Sequence, residues 1–424
     1  MSLLDVYLHA DRVGTLERRD QGRIRFAYDE AWVERGGRPL SLSLPVREEP
    51  YADDAARPFF AGLLPEGEFL RTLARNFAVS AGNAFTLLRE IAGECAGAVS
   101  LTAAGTPPPA RREPQWLEGD LLDRLIADLP ERPLTFEDDG TDEVLRLSLA
   151  GAQEKLPVMF EDDRVGITRG NPPSTHIIKL PDGRFDGLVA NEHFCLRLAA
   201  AAGLDAARTT PRATAVTGAE FLLVERYDRD ASDEPIRRLH QEDFCQALGF
   251  VPELKYQSDG GPDAAACAGL IRRESSVPAR DLAAFGDALI FNWIVGNHDA
   301  HSKNYSYVLE GDGAPRMAPL YDLVSTTAYA YSRLSRRLAM KVGGENRPEY
   351  VRGRHLDRLA GDLGARPQSF RGRCRALAER ALAALEPARG KMDPRFADHP
   401  VLDRIEEQVR RGAGQVIDAA DEPV

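Results

Sequence analysis

The spacing of hydrophobic residues changes character once along this chain, and that change limits the folds open to it. Up to about residue 228, most segments alternate apolar and polar residues and are broken by Gly and Pro, as β-strands are. From about residue 239 onward, apolar residues recur at helical spacing: QEDFCQALG, DAAACAGLIRRE, LAAFGDALIFNWIVGN and several amphipathic stretches between 353 and 418. One helical stretch, VANEHFCLRLAAAAGL, interrupts the β-rich part and is stopped by Gly203. A β-rich lobe followed by a helical lobe is an α+β arrangement, with a cleft expected between the lobes. At 424 residues the chain is long for one core and suggests two or three compact units.

The expected boundaries follow the punctuation. Residues 1–103 read as a β-rich domain: VYLHADRVGTLERRDQGRIRFAY gives a strand, a turn at Val13-Gly14 and two further strands. GEFLRTLARNFAV and NAFTLLREIAG add helices, and AGAVSLTA returns to strand. Residues 104–118, with three consecutive prolines, read as a linker. Residues 119–228 form the small lobe, with strands in KLPVMFEDD, RVGITR, THIIKLP and GAEFLLVERYDR, and 229–424 form the helical lobe.

Charge narrows the function classes. Asp and Glu total 66 against 54 Lys and Arg, for a net charge of −12, which argues against broad nucleic-acid binding because phosphate neutralisation needs clustered cations. The N-terminus mixes charges with apolar residues from Asp5 onward and lacks a signal-peptide core. The most apolar long segment, 282–296, is too short and, with Asp287, too polar for a bilayer span. The five cysteines are scattered and no pair has metal-ligand spacing, which fits a reducing cytoplasm.

GNHDAHSKN (296–304) followed by PLYDLVS (319–325) carries the chemistry. Asp299 and Asn304 lie five apart on one loop, and Asp322 follows eighteen residues after Asn304, beyond a strand in YSYVLEG. Phosphoryl transfer uses such a set: one Asp accepts the proton of the attacking hydroxyl, and Asn and Asp oxygens hold Mg²⁺. The order matches that of protein kinases, without His-Arg-Asp or Asp-Phe-Gly. His298, His301 and Lys303 crowd the same loop. His-x-x-His without Cys or a third ligand is a poor zinc site, so the histidines are expected to orient the Asp or the loop backbone. The plain alternative is a polar loop after a buried helix, with Asn and Asp as caps and turns.

On the β-rich side, Lys179 in THIIKLP is placed to meet phosphates, with Glu192 as its expected partner. The backbone of Glu225 and Tyr227 in LLVERYDR lies where a strand linking the lobes would pass adenine. The small-residue turn Ala150-Gly151-Ala152, followed by Gln153, would let backbone N–H groups approach phosphates.

FFAGLLPEGE (59–68), AGAVSL (96–101), SLAGAQEK (148–155), THIIKLP (175–181), VERYDR (224–229), QEDFCQALG (241–249), KYQSDGGP (255–262), GNHDAHSKN and PLYDLVS together resemble the HipA family. The resemblance spans roughly residues 59–325; the role of KYQSDGGP beyond a turn is not evident. It implies a protein-kinase-like bilobal fold with an added N-terminal domain, and a Ser/Thr kinase that is the toxin of a toxin–antitoxin pair. It implies ATP and Mg²⁺ as cofactors, an aminoacyl-tRNA synthetase as protein substrate, and a small dimeric helix-turn-helix antitoxin of HipB type that binds operator DNA. Carried onto this chain, Asp299 is the catalytic base and Asn304 and Asp322 the Mg²⁺ ligands. Lys179 meets the ATP phosphates, the backbone of Glu225 and Tyr227 the adenine, and the loop through Gln153 covers the phosphates. Ser148 is an autophosphorylation site, where a phosphoserine's charge would oppose ATP or expel the loop. Two alternatives stay open: a small-molecule phosphotransferase of kinase-like fold, and an inactive relative that serves as an antitoxin-binding co-repressor.

Overall fold

Alternation in the first hundred residues produces a four-stranded antiparallel sheet: β1 (Leu3–Leu8), β2 (Asp11–Arg18), β3 (Ile24–Tyr28) and β4 (Val99–Ala103), in the order β3-β2-β1-β4. The first turn falls at His9-Ala10, with His9 at φ 58°, and not at Val13-Gly14. Gly14 instead lies inside β2, where a Cβ would stand 2.2 Å from the Ala27 carbonyl oxygen. Helices α1 (Asp53–Gly62), α2 (Gly67–Asn76) and α3 (Ala84–Ile91) contribute Phe59, Phe60, Leu73 and Phe85 to a buried core with Leu16 and Phe26. This computed structural model describes residues 2–91, 95–109, 113–129, 135–138, 141–144, 155–168, 173–232, 235–310, 314–330 and 334–423. The chain divides into two compact units, one of residues 1–180, 212–252 and 308–313, the other of residues 181–211, 253–307 and 314–424.

The first unit holds a second sheet. The stretch expected as a linker ends in β5 (Gln115–Trp116), which pairs with β7 (Arg164–Ile167). With β6 (Lys155–Glu161), β8 (His176–Lys179) and β9 (Glu220–Glu225), the neighbours run β9-β8-β6-β7-β5. Helix α4 (Leu121–Asp128), which the sequence pattern does not announce, buries Leu125 and Ile126 in one core with Val158, Ile178 and Leu223.

Two sequence words that follow this sheet, VERYDR and QEDFCQALG, hold the N-terminal domain. In the first, Arg226 makes a bidentate pair with Asp228 (2.9 and 2.8 Å), and Arg229 meets the same carboxylate at 3.0 Å; all three are buried. Asp228 accepts the Gly97 N–H, Arg226 donates to the Cys95 carbonyl, and Arg229 donates to the Gly97 carbonyl. Burial alone would raise the Asp228 pKa, but the two guanidiniums overcome it and hold the carboxyl well below the usual carboxylate range. In the second, buried Glu242 takes the Ser41 hydroxyl and the Leu42 N–H, and Gln246 donates to the Phe59 carbonyl. Just before it, His240 Nε2 faces the Leu40 carbonyl at 2.9 Å.

The second unit is helical: α5 (Leu188–Ala201), α6 (Ala264–Glu274), α7 (Pro278–Val295), α8 (Gly353–Leu363), α9 (Pro367–Ala383) and α10 (Val401–Asp421). Sequence order groups α5 with the β-rich lobe, but it packs against α9 and α10. Its ten buried residues leave almost no polar face, which is what a helix surrounded by other helices requires. Helix α7 is the centre of this unit, burying Phe285, Phe291 and Trp293, whose indole donates to Gln415 at 3.1 Å. Among the described residues no helix is long and apolar enough to cross a membrane. The α+β class is thus borne out, with sheets concentrated in the first unit and helices in the second.

Asp228→Ala leaves two buried guanidiniums without their counter-charge and should cost about 3–5 kcal/mol, read as a lowered urea midpoint for the full chain. A second expectation concerns pH. Burial lowers the pKa of His176, His193 and His240 to about 4. For His240 the Leu40 carbonyl opposes that lowering without reversing it. A histidine that is neutral when folded takes up its proton on unfolding, so stability should fall as pH drops from about 6.5 towards about 4 and then level off for these groups. Urea titrations at pH 7, 5.5 and 4.5 check this; a flat profile would contradict it.

Candidate active site

The loop that follows α7 can take only a narrow set of shapes. Gly296 ends the helix at φ 69°, and a Cβ there would stand 2.1 Å from the Thr327 hydroxyl oxygen. The Gly296 carbonyl accepts the Thr326 and Thr327 N–H groups at 3.1 and 3.3 Å, which ties the helix end to the segment after Asp322.

Asn297 comes next and is buried. Its carboxamide nitrogen donates to Asn292 at 2.9 Å and to the Asp322 carbonyl at 3.4 Å, while its oxygen accepts the Asp299 N–H at 3.2 Å. One side chain thus brackets the backbone of both carboxylates. Asn304 closes the loop: its oxygen accepts the His301 N–H at 3.2 Å, and its amide donates to Asp322 Oδ2 at 3.1 Å. The structure therefore brings Asn304 and Asp322 into direct contact and sets Asp299 on the same bracketed loop.

Exposure separates the carboxylates from their support. Asp299 and Asp322 are exposed, whereas Asn297, His298, His301, Ser302, Lys303 and Asn304 are all buried. Asp322 sits at φ 58°, a left-handed conformation in which Asp is among the few tolerated non-glycine residues. The segment beyond it is pinned by Asn191 of α5, which accepts the Ser325 N–H at 2.8 Å and donates to the Ser325 carbonyl at 3.1 Å. Burial lowers the His298 pKa, so the ring is neutral at pH 7, and its Nδ1 faces the Ser335 carbonyl at 3.2 Å. The Lys303 carbonyl accepts the Tyr321 hydroxyl at 2.7 Å.

Tyr256, in KYQSDGGP, donates its hydroxyl to Asp299 Oδ1 at 2.7 Å. Neither Tyr256 nor Asn297 is among the residues that the sequence marks out as candidates. Both sit inside words that it does mark out, but a tyrosine 43 positions before its partner leaves no spacing signal.

The remaining candidates belong to the first unit. Lys179 is buried at the end of β8, in register with Lys155 of β6 and Leu222 of β9. Glu225 is exposed and pairs with His176, and the Tyr227 hydroxyl donates to Gln241 at 2.7 Å. Ser148, Ala150, Gly151, Ala152 and Gln153 lie outside the described residues. Among the described residues, no group of three or more His, Cys, Asp and Glu side chains is arranged to hold a metal ion.

The HipA N-terminal domain family matches residues 4–102, and the HipA-like C-terminal domain family matches residues 147–385. The chain belongs to the HipA family. Among its relatives, the putative kinase Y4mE of Sinorhizobium fredii is 45% identical over 80% of this chain and 81% of that protein. The serine/threonine-protein kinase toxin HipA of Shewanella oneidensis is 31% identical over 80% of this chain and 77% of that protein. The solved complex of the Shewanella oneidensis toxin–antitoxin proteins HipA and HipB with operator DNA superposes at a TM-score of 0.82, with 26% identity, covering 99% of this chain and 100% of that chain. The HipA fold is therefore the fold of this chain.

Asn297→Ala removes the bracket and leaves buried polar groups without their partner. It should lower stability by about 1–3 kcal/mol, read as a lower urea midpoint; an unchanged midpoint would show that Asn297 does not hold the loop.

Proposed function

We propose that this HipA-family chain is an ATP-dependent protein serine/threonine kinase of the toxin type, with Asp299 as the base that accepts the proton of the acceptor hydroxyl.

The kinase reading rests on one observation: the Asn297 bracket, which sets Asp299 on the loop that brings Asn304 against Asp322. In the proposed step, the acceptor oxygen attacks the γ-phosphorus as Asp299 takes the hydroxyl proton, and ADP leaves with the electrons of the broken P–O bond.

The residue types suit Mg²⁺: Asp322 would hold the ion through its carboxylate and Asn304 through its carboxamide oxygen, which here accepts the His301 N–H while the amide nitrogen faces Asp322. When bound, the ion would neutralise charge on the transferring phosphate. Lys179 is assigned to the ATP phosphates. The backbone of Glu225 and Tyr227 is assigned to adenine, and Ala150, Gly151, Ala152 and Gln153 to a cover over the phosphates. His301 and Lys303 build the loop that carries the base, and Ser148 is the proposed autophosphorylation site. The names of the relatives support a toxin paired with a HipB-type antitoxin and meeting operator DNA through that partner. The same reading sets the chain in the cytoplasm, acting on a translation component such as an aminoacyl-tRNA synthetase.

Asp299→Asn should cut incorporation of γ-labelled phosphate into protein by about 10²–10⁴-fold, the scale of a positioned base. Incorporation at the wild-type rate by the purified variant would overturn the assignment.

A further inference from the structure

The segment of residues 255–262 is built more firmly than a connecting turn needs. Ser302, fully buried in the loop that carries Asp299, donates its hydroxyl to the Lys255 carbonyl at 2.9 Å, with its N–H at 3.4 Å from the same oxygen. Gln257 accepts the Lys341 N–H at 2.8 Å. The Tyr256 carbonyl accepts the N–H groups of Asp259 and Gly261, each at 3.0 Å, which closes the turn on itself. The Tyr256 ring meets His301 edge-on at 5.0 Å between centroids, with the planes 84° apart.

These contacts fix the tyrosine without using its hydroxyl. Backbone groups of Lys255, Tyr256 and Lys341 hold the segment, and the ring edge sets the direction of the side chain. The hydroxyl then donates to Asp299 Oδ1, at 2.7 Å. That carboxylate is the one assigned as the base.

We propose that Tyr256 is a positioning residue: its hydroxyl helps to hold the Asp299 carboxylate in the orientation from which it takes the proton of the acceptor hydroxyl. The inference rests on the kinase reading and adds a residue to it. The last torsion of Asp is broad, so a directed hydrogen bond to one carboxylate oxygen narrows the orientations open to it. A base must be held within hydrogen-bond reach of the proton it takes, and small misplacements of reacting groups are costly. The Tyr256 hydrogen bond supplies that hold from a segment anchored to the loop of the base itself.

The test uses the full-length chain, Tyr256→Phe, γ-labelled ATP with Mg²⁺, and casein as a generic acceptor alongside self-labelling. Phe keeps the ring that packs on His301 and removes only the donor. The expected result is a fall in transfer of roughly 10–100-fold, the scale of one hydrogen bond to a charged group. The ATP concentration giving half-maximal rate should stay within about twofold. Ser302→Ala serves as the second variant: it loosens the segment while keeping the hydroxyl, and should give a smaller fall in transfer than Tyr256→Phe. Tyr256→Phe transferring at the wild-type rate, or losing transfer and ATP affinity in parallel with a lowered melting temperature, would overturn the inference. Wild type and Asp299→Asn labelling equally would instead bring down the kinase reading beneath it.

Discussion

The buried carboxamide of Asn297 is the interaction on which the candidate site depends. It has three partners, Asn292 in the preceding helix, the Asp299 N–H and the Asp322 carbonyl, and each lies on a different stretch of chain. An apolar residue of similar size would fill the space but leave those groups unsatisfied, which in a buried position costs more than the packing returns. The exposed carboxylates are therefore supported from beneath. Gly296 sets the direction in which the chain leaves the helix, Asn297 ties that exit to the Asp322 segment, and Asn191 ties the far side of the same segment to α5.

The first unit is organised by charge in the same way. Asp228 lies between two guanidiniums and also accepts the Gly97 N–H, so the chain that leaves the second sheet and the loop that enters β4 share one buried anion. Such a pair gives little net stability over an apolar replacement, but removing one member strands the others. What it does visibly is geometric: through Cys95 and Gly97 it ties the N-terminal domain to the chain that leaves the second sheet.

Much of this is legible in the sequence. The change from alternation to helical spacing announces the α+β class, and the order of Asp299, Asn304 and Asp322 identifies the loop. What is not legible depends on contacts between distant residues. The turn expected at Val13-Gly14 fails because glycine is as much a mark of close backbone approach as of a turn, and here Ala27 makes that approach. The VERYDR and QEDFCQALG words read as strand and helix, but their side chains serve the N-terminal domain more than a hundred residues upstream. Helix α5 reads with its sequence neighbours, although its uniformly buried surface needs helices on several sides. Tyr256 is hidden for the same reason: only folding brings it to Asp299.

The way the N-terminal domain is gripped has a consequence for how freely it can vary. Most of the grip is on its main chain: the carbonyls of Leu40, Phe59, Cys95 and Gly97, and the N–H groups of Leu42 and Gly97. Main-chain groups are common to nearly every residue type; Ser41 and Ser43 are exceptions that offer side-chain hydroxyls, to Glu242 and to the Gln246 carbonyl. The domain can thus exchange much of its surface lettering while its neighbours in the unit continue to recognise it, provided the path of its backbone is preserved.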